Sequence, residues 1–475
     1  MSIPPNKNPS WLPTIVPGQG PLYEQIAQSL IADILDHTLP PGAQLPSRRD
    51  LAQSLGVTVS TVSKAFDKVL QANMIEAKGR RGTRVRRQSE QAITPRTGMQ
   101  NNTSDIHHVI DMRNHQYVLQ AWPDMIKQVL TDIAAHTDIR LLFKPSYARE
   151  HATHIKAGKE WFDLSSGYSR HEEQIIVTNG AQHGLLSVLM ATCQPGDTIA
   201  TERYTYAGLK AAAAALHLTL VPVDIDEEGL IPDALDRLCS EKNIKALVCV
   251  PDIQNPTTST LPVERRKAIA SQARLHNLFV IEDSVYSGLQ KNYMPPIASF
   301  APDQTIRITS FSKALGTGLR IGYVESPKTI IKQVTGAVRS SIWMAPPIMG
   351  EVARELVQSG AAKQLLDANR SELSKRIEFV NQLLSGYSFR SAPSGPHVWL
   401  NVSPTRTYEF VDRLANAGIK VLPMEAFSVQ DNRDNTQFVR LSISAPDSQA
   451  ILIDALSTIR SMLDSPRSLG EEFNV

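Results

Sequence analysis

The chain has 475 residues, 42% hydrophobic and 20% charged, a globular composition that excludes long disordered or collagen-like stretches and fits two or three domains. Its net charge is only +2, but residues 1–90 hold 11 Lys/Arg against 7 Asp/Glu and the remainder 38 against 40, so the basic excess sits at the N-terminal end. Cys193, Cys239 and Cys249 offer neither a disulfide framework nor a metal set, and no apolar run approaches the roughly 18 residues of a membrane span; without a signal-peptide pattern, a soluble cytoplasmic protein is expected.

The first predicted element is a helix over residues 21–38, where Leu22, Ile26, Leu30 and Ile34 recur at steps of four until Pro40, Pro41 and Gly42 end it. "LPSRRDLAQSLGVTVSTVSKAFDKVLQANMI" then reads as helix, turn, helix. Ser47 caps a helix carrying Leu51, Ala52 and Leu55, and Gly56 makes the turn. Thr58 or Ser60 caps the next, whose buried stripe is Val62, Ala65, Phe66 and Val69. "IEAKGRRGTRVRR" is a strand, a glycine-bracketed tip and a returning strand, with six basic residues and no acid within Lys78–Arg87. Three helices and a basic wing make a winged helix-turn-helix. The third helix, the recognition helix, presents Thr58, Ser60, Thr61 and Lys64 where a major-groove helix reads base edges; Arg48 and Arg49 are placed for phosphates, and Arg80 and Arg81 lie at the wing tip. The expected partner is double-stranded operator DNA.

Residues 88–108 are polar and without pattern, as a linker is. Beyond them, seven short β-rich runs ("QIIVTNG", "DTIATER", "LTLVPVD", "ALVCVPD", "FVIED", "IRITSFS", "RIGYV") are separated by helix-length segments, which predicts an α/β domain with a mostly parallel sheet. Residues 328–384 read as helical, with Leu373, Ile377, Val380 and Leu384 on one face. The tail mixes strands and helices as a small α+β subdomain, roughly 341–470. The expected division is 12–87 winged helix, 88–108 linker and 109–470 α/β domain.

"TSFSKALGTGLRIGYV" places Lys313 between small hydroxyl residues, seven positions before Arg320. A lysine that bonds an aldehyde cofactor such as pyridoxal phosphate (PLP) needs a phosphate cradle, an acid for the pyridine nitrogen and partners for the phenolic oxygen. Candidates follow in chain order. Gly180, Ala181 and Gln182 open a helix after a strand, where backbone N–H groups hold phosphate. Tyr204 offers a ring face to the pyridine. Asn255 and Tyr286 suit the phenolic oxygen, and Asp283 ends a strand facing the ligand crevice of a parallel sheet. Ser310, Ser312 and Arg320 suit the phosphate, and Arg440 forks the carboxylate of an amino compound, with Asn255 beside it.

Residues 20–87 resemble the N-terminal domain of GntR-type bacterial regulators, although Val59 stands where that family usually carries arginine. The ordered set "NGAQ", "ERYTY", "NPT", "EDSVYSG", "SFSK…GLRIGY" and "VRLS" resembles fold-type I, class I aminotransferases over about 110–460. Departures are Thr258 for the usual glycine after "NPT", Arg203 for a proline, and "VLPMEAF" without Pro-Gly. The two together resemble MocR-type transcriptional regulators. That resemblance implies PLP held as an internal aldimine on Lys313, a homodimer with Tyr147 reaching the partner's phosphate site, and PLP or a small amino compound as effector. The other reading it leaves open is a PLP-dependent aminotransferase, acting on an amino acid and a 2-oxo acid, with a DNA-binding appendage.

Overall fold

The computed structural model describes residues 11–13, 15, 21–35, 38–39, 42–71, 75–77, 83–85, 109–116, 122–143, 148–430 and 436–465. Arg80, Arg81, Tyr147 and the expected linker 88–108 lie outside them. The chain divides into two compact units, Met1–Pro95 and Arg96–Val475.

In the first unit the four-residue spacing folds as helix α1 (Leu22–Leu35), with Ile26, Leu30 and Ile34 buried. Helix α2 (Arg48–Leu55) starts at Ser47, whose hydroxyl accepts from Asp50 N–H, and stops at Gly56 with φ +64°. A left-handed stop of this kind suits glycine, which has no Cβ to clash. Helix α3 (Val59–Gln71) follows, its Val62, Ala65, Phe66 and Val69 fully buried. Strands β1 (Ile75–Ala77) and β2 (Thr83–Val85) pair antiparallel as the wing. Residues 42–45, read from the sequence only as the end of α1, extend it: Gly42 N–H donates to Val85 O, and Leu45 N–H to Thr83 O.

In the second unit the seven apolar runs become β3 (Ile175–Thr178), β4 (Thr198–Glu202), β5 (Thr219–Val223), β6 (Ile244–Cys249), β7 (Phe279–Asp283), β8 (Thr305–Ser310) and β9 (Gly322–Glu325). They form one sheet in the order β3-β9-β8-β7-β6-β4-β5. Every neighbouring pair is parallel except those of β9, which runs against both β8 and β3. Apolar clusters cover both faces, one centred on Val188, Leu209 and Ile281, another on Leu247, Ile269 and Val280. Helices α4 (Gly180–Thr192) and α5 (Ala207–Ala215) leave the sheet at the ends of β3 and β4.

The small subdomain packs helices α6 (Ala361–Leu383) and α7 (Gln449–Asp464) on an antiparallel sheet of β10 (Phe389–Ser391), β11 (His397–Asn401), β12 (Leu422–Pro423) and β13 (Phe438–Ser442). Leu373, Ile377, Val380 and Leu384 are buried as their spacing predicts. Residues 110–112 also belong here: Ile110–Asp111 pair with Ile419–Lys420, and Ser442 N–H donates to Met112 O.

One buried ion pair crosses the reversed strand. Arg307 on β8 and Glu325 on β9 are register partners, both without exposure, joined at 2.9 Å. Arg307 also donates to Ser166 Oγ at 2.7 Å and lies 4.9 Å from the Phe162 ring centre. Removing one partner leaves a buried charge alone, whereas replacing both with apolar groups removes the problem. Arg307→Met is expected to lower the unfolding free energy of this unit by about 3–5 kcal/mol, and adding Glu325→Leu to recover most of the loss, read as urea midpoints.

Candidate functional site

Parallel strands end together, so whatever follows them converges. Asp283 closes β7, Ser310 closes β8, and the turn after β8 carries Ser312 and Lys313. A cavity of about 940 Å³ opens there, lined among others by Lys313, Asp283, Tyr286, Asn255, Ser312 and Arg320. Ser310, Ala181 and Gln182 line it too.

The phosphate side is built from backbone. Asn179 precedes α4 without a capping side-chain bond, leaving the first N–H groups of the helix for an anion. A Cβ on Gly180, whose φ is +78°, would stand 3.1 Å from Arg320 Nη2, so the guanidinium lies across the start of α4. Gly322 permits this approach, since a Cβ there would meet Thr309 O at 2.7 Å and Gly180 C at 2.8 Å. Arg320 itself holds φ +42°, a left-handed conformation that costs a branched or long residue energy and clusters at functional sites. Ser312 Oγ is buried in the cavity wall with no hydrogen-bond partner. An unmet buried hydroxyl, uncapped helix N–H groups and an arginine together fit a bound phosphate.

The electrostatics of the rest follow from loss of water. Burial lowers Lys313 to about 8, helped by Arg440 and Arg320 and opposed by Asp283. Burial raises Asp283 to about 6, while Val285 N–H, 3.2 Å from Oδ1, and Lys313 pull it down. Tyr286 rises to about 12 for the same first reason, with Arg440 opposing. An acid at the foot of the cavity and a partly neutral amine above it form the donor set that a pyridine nitrogen and an aldehyde require.

Two expected contacts are placed differently. Tyr204 does not line the cavity: its hydroxyl donates to Met424 Sδ at 3.4 Å and its ring packs 5.6 Å from Trp399. Tyr206 lines it instead, pushed well above the usual tyrosine range by burial and by Asp283 and Tyr286. Both tyrosines follow the end of β4 in a Tyr-x-Tyr spacing, and the second is the one abutting α5. Arg440 stands behind the wall, with Nη1 donating to Asn255 Oδ1 at 2.9 Å and Nη2 to Arg113 O, and Phe427 4.9 Å from its guanidinium carbon. It reaches the cavity through Asn255.

Sequence reasoning missed His115, Trp122 and Glu202. His115 and Trp122 line the cavity. Glu202 ends β4 buried, its carboxyl raised to about 7 by desolvation although it accepts from Val250 N–H at 2.8 Å. Of the three, Glu202 alone left a signal, a charged residue closing an apolar strand. Thr258 adopts φ +65°, so the backbone keeps the left-handed turn for which the resembled family uses glycine.

In the first unit Thr58, Ser60, Lys64 and Arg49 are exposed and Thr61 is half-buried. Thr58 Oγ1 accepts from Thr61 N–H at 3.3 Å and so caps α3, and it also lies 2.9 Å from Thr61 Oγ1. Val59 is 44% exposed and offers methyl groups beside Ser60 and Lys64. Arg48 turns onto α3 and pairs with Asp67 at 2.8 Å rather than pointing away.

Residues 112–456 match the family described as aminotransferase class I and II, and residues 22–85 the gntR family of bacterial regulatory proteins. The chain is 32% identical to the HTH-type transcriptional regulator YdeF of Bacillus subtilis over 96% of its own length and 97% of the relative's. It is 25% identical to the HTH-type transcriptional regulator TauR of Rhodobacter capsulatus over 91% and 95%. A kynurenine aminotransferase of Pyrococcus horikoshii, crystallised in complex with PMP, shares the fold with TM-score 0.68 at 20% identity, over 76% of this chain and 91% of that one.

The raised carboxyl of Asp283 has a consequence for stability. An unfolded chain releases this proton near 3.8 and the folded chain near 6, so folding is opposed increasingly as pH rises between those values. Asp283→Asn is expected to stabilise the cofactor-free protein at pH 7 by on the order of 1–3 kcal/mol, with the gap closing below pH 4, read as thermal midpoints across pH.

Proposed function

Because the chain belongs to the MocR type of regulator, a gntR-family head joined to an aminotransferase class I and II domain, we propose that it holds PLP covalently on Lys313 and answers PLP or a small amino compound by changing its hold on DNA. It is a DNA-binding transcriptional regulator. The observation that carries the cofactor reading is the convergence of Lys313, Asp283, Tyr286, Asn255, Ser312 and Arg320 on one cavity.

Bound there, PLP supplies an aldehyde that bonds primary amines and a pyridine that withdraws electrons when protonated. The chain's own groups do the rest. Lys313, lowered to about 8, is neutral in roughly one molecule in ten near pH 7, far more than an exposed lysine, and that fraction is a nucleophile. Asp283 holds a proton or a negative charge toward a ring nitrogen, Asn255 and Tyr286 donate toward the phenolic oxygen, and Tyr206 closes one side. Arg320, Ser310, Ser312 and the start of α4 grip the phosphate. Arg440 turns from Asn255 to an effector carboxylate, which ties effector binding to the strand β13 on which it sits.

An amine and operator DNA that each favour different states of the protein change one another's affinity by the same factor. On the DNA side, Ser60, Val59 and Lys64 read or approach base edges from the start of α3, and Arg49 meets phosphate. We place the protein in the cytoplasm and assign it a homodimer, matching paired operator half-sites. Phe143 and Trp343, 81% and 69% exposed, support a partner surface on the second unit; no helix among the described residues is long and apolar enough to cross a membrane.

The purified protein is expected to show the visible absorption of PLP bonded to lysine, and Lys313→Ala to abolish it; an unchanged spectrum would sink the assignment. In mobility shifts on the DNA upstream of its gene, Lys64→Ala is expected to weaken binding and lower the slope of log affinity against log salt by about one.

A further inference from the structure

His115 sits on the segment that joins the small subdomain and touches the lysine turn of the large one. Its Nε2 lies 2.9 Å from Lys313 O. A carbonyl only accepts, so Nε2 carries the proton. Its Nδ1 lies 2.8 Å from Ser444 Oγ. Burial holds His115 well below the usual histidine range, with Lys313, His397 and Arg440 adding to the effect. The ring is therefore neutral, Nδ1 accepts, and Ser444 must donate. That leaves Ser442 Oγ, 3.2 Å away, to donate to Ser444. The directed chain runs Ser442 to Ser444 to His115 to the carbonyl of Lys313.

Ser442 ends β13 and Ser444 lies in the turn that follows, two and four residues after Arg440. Arg440 itself donates to Arg113 O, two residues before His115. The Tyr286 ring meets His115 edge-on with centres 6.4 Å apart. One nitrogen of the imidazole is thus held by the turn that follows the strand carrying Arg440 and the other by the backbone of the lysine, 198 residues along the chain.

We propose that His115 is a positioning residue that couples β13 of the small subdomain to the Lys313 turn, so that a ligand engaging Arg440 alters the surroundings of the lysine. The inference rests on the cofactor reading above. A phenylalanine in its place keeps the ring and loses both bonds, releasing the turn and letting water reach the lysine. The charged and titratable groups around Lys313 are Asp283, Arg440, Arg320, His115, His397, Tyr286 and Tyr206. Of these, the imidazole of His115 alone bonds its backbone, and His115→Phe leaves the other six in place.

The test is a spectrophotometric pH titration of the PLP-loaded protein. His115→Phe is expected to shift the midpoint of the visible band by about one pH unit, the scale of partial rehydration of a buried amine. His115→Gln, which keeps an N–H donor at reach of the carbonyl, is expected to titrate like the parent protein. Ser444→Ala, the variant to rely on should His115→Phe not fold, is expected to move the midpoint in the same direction as His115→Phe. Unmoved midpoints in His115→Phe or Ser444→Ala, or an equal shift in His115→Gln, overturn the coupling while leaving the cofactor reading intact. A parent protein without a visible band overturns both.

Discussion

A lysine ammonium taken out of water beside two guanidinium groups and opposed by one carboxylate is the constraint around which the large unit is arranged. Lys313 cannot be held this way on a surface, where solvent would restore its charge. It needs the floor that converging strand ends provide, with Asp283 closing β7 beside Ile308 of β8, two residues before Ser310 closes that strand. The reversed strand β9 brings Gly322 and Arg320 back against the start of α4, and its register with β8 is fixed by the buried Arg307–Glu325 pair. Glu325 of that pair thus lies on the same strand whose first residue, Gly322, follows Arg320 by two positions.

Much of the fold was legible because its causes are local. All seven strands of the large sheet appeared as short apolar runs, since strands covered on both faces need no alternation. The helices of the first unit were legible from four-residue spacing and from Ser47 and Gly56 as start and stop. The reversal of β9 was not, because a buried strand carries the same residues whichever way it runs. The recruitment of residues 42–45 into the wing depends on backbone bonds to β2, which no side chain announces.

The site divides in the same way. Residues at or just after strand ends and helix starts, such as Asp283, Ser312 and Gln182, line one cavity, as their local context pointed. Tyr204 and Tyr206 could not be separated by residue type, and packing decided: the Met424 and Trp399 cluster takes the first and leaves the second to the cavity. Arg440 was read from the sequence as a carboxylate ligand; its bonds to Asn255 and Arg113 O belong to the three-dimensional arrangement. His115 gave no sign, for its partners lie 198 and 329 residues away. In the DNA-binding unit, Arg48 was read as a phosphate contact from its place at a helix start, and its exposed pairing with Asp67 on α3 came only with the fold.

Covalent attachment at Lys313 and release of DNA at α3 are one account only if the lysine is needed for the response. The most direct measurement is the affinity of the full-length protein for labelled DNA upstream of its gene, with and without PLP and a primary amino compound, in the parent and in Lys313→Ala. The account predicts a change of about fivefold or more in the parent and none in the variant, at equal affinity without ligand. An equal response in Lys313→Ala would contradict it.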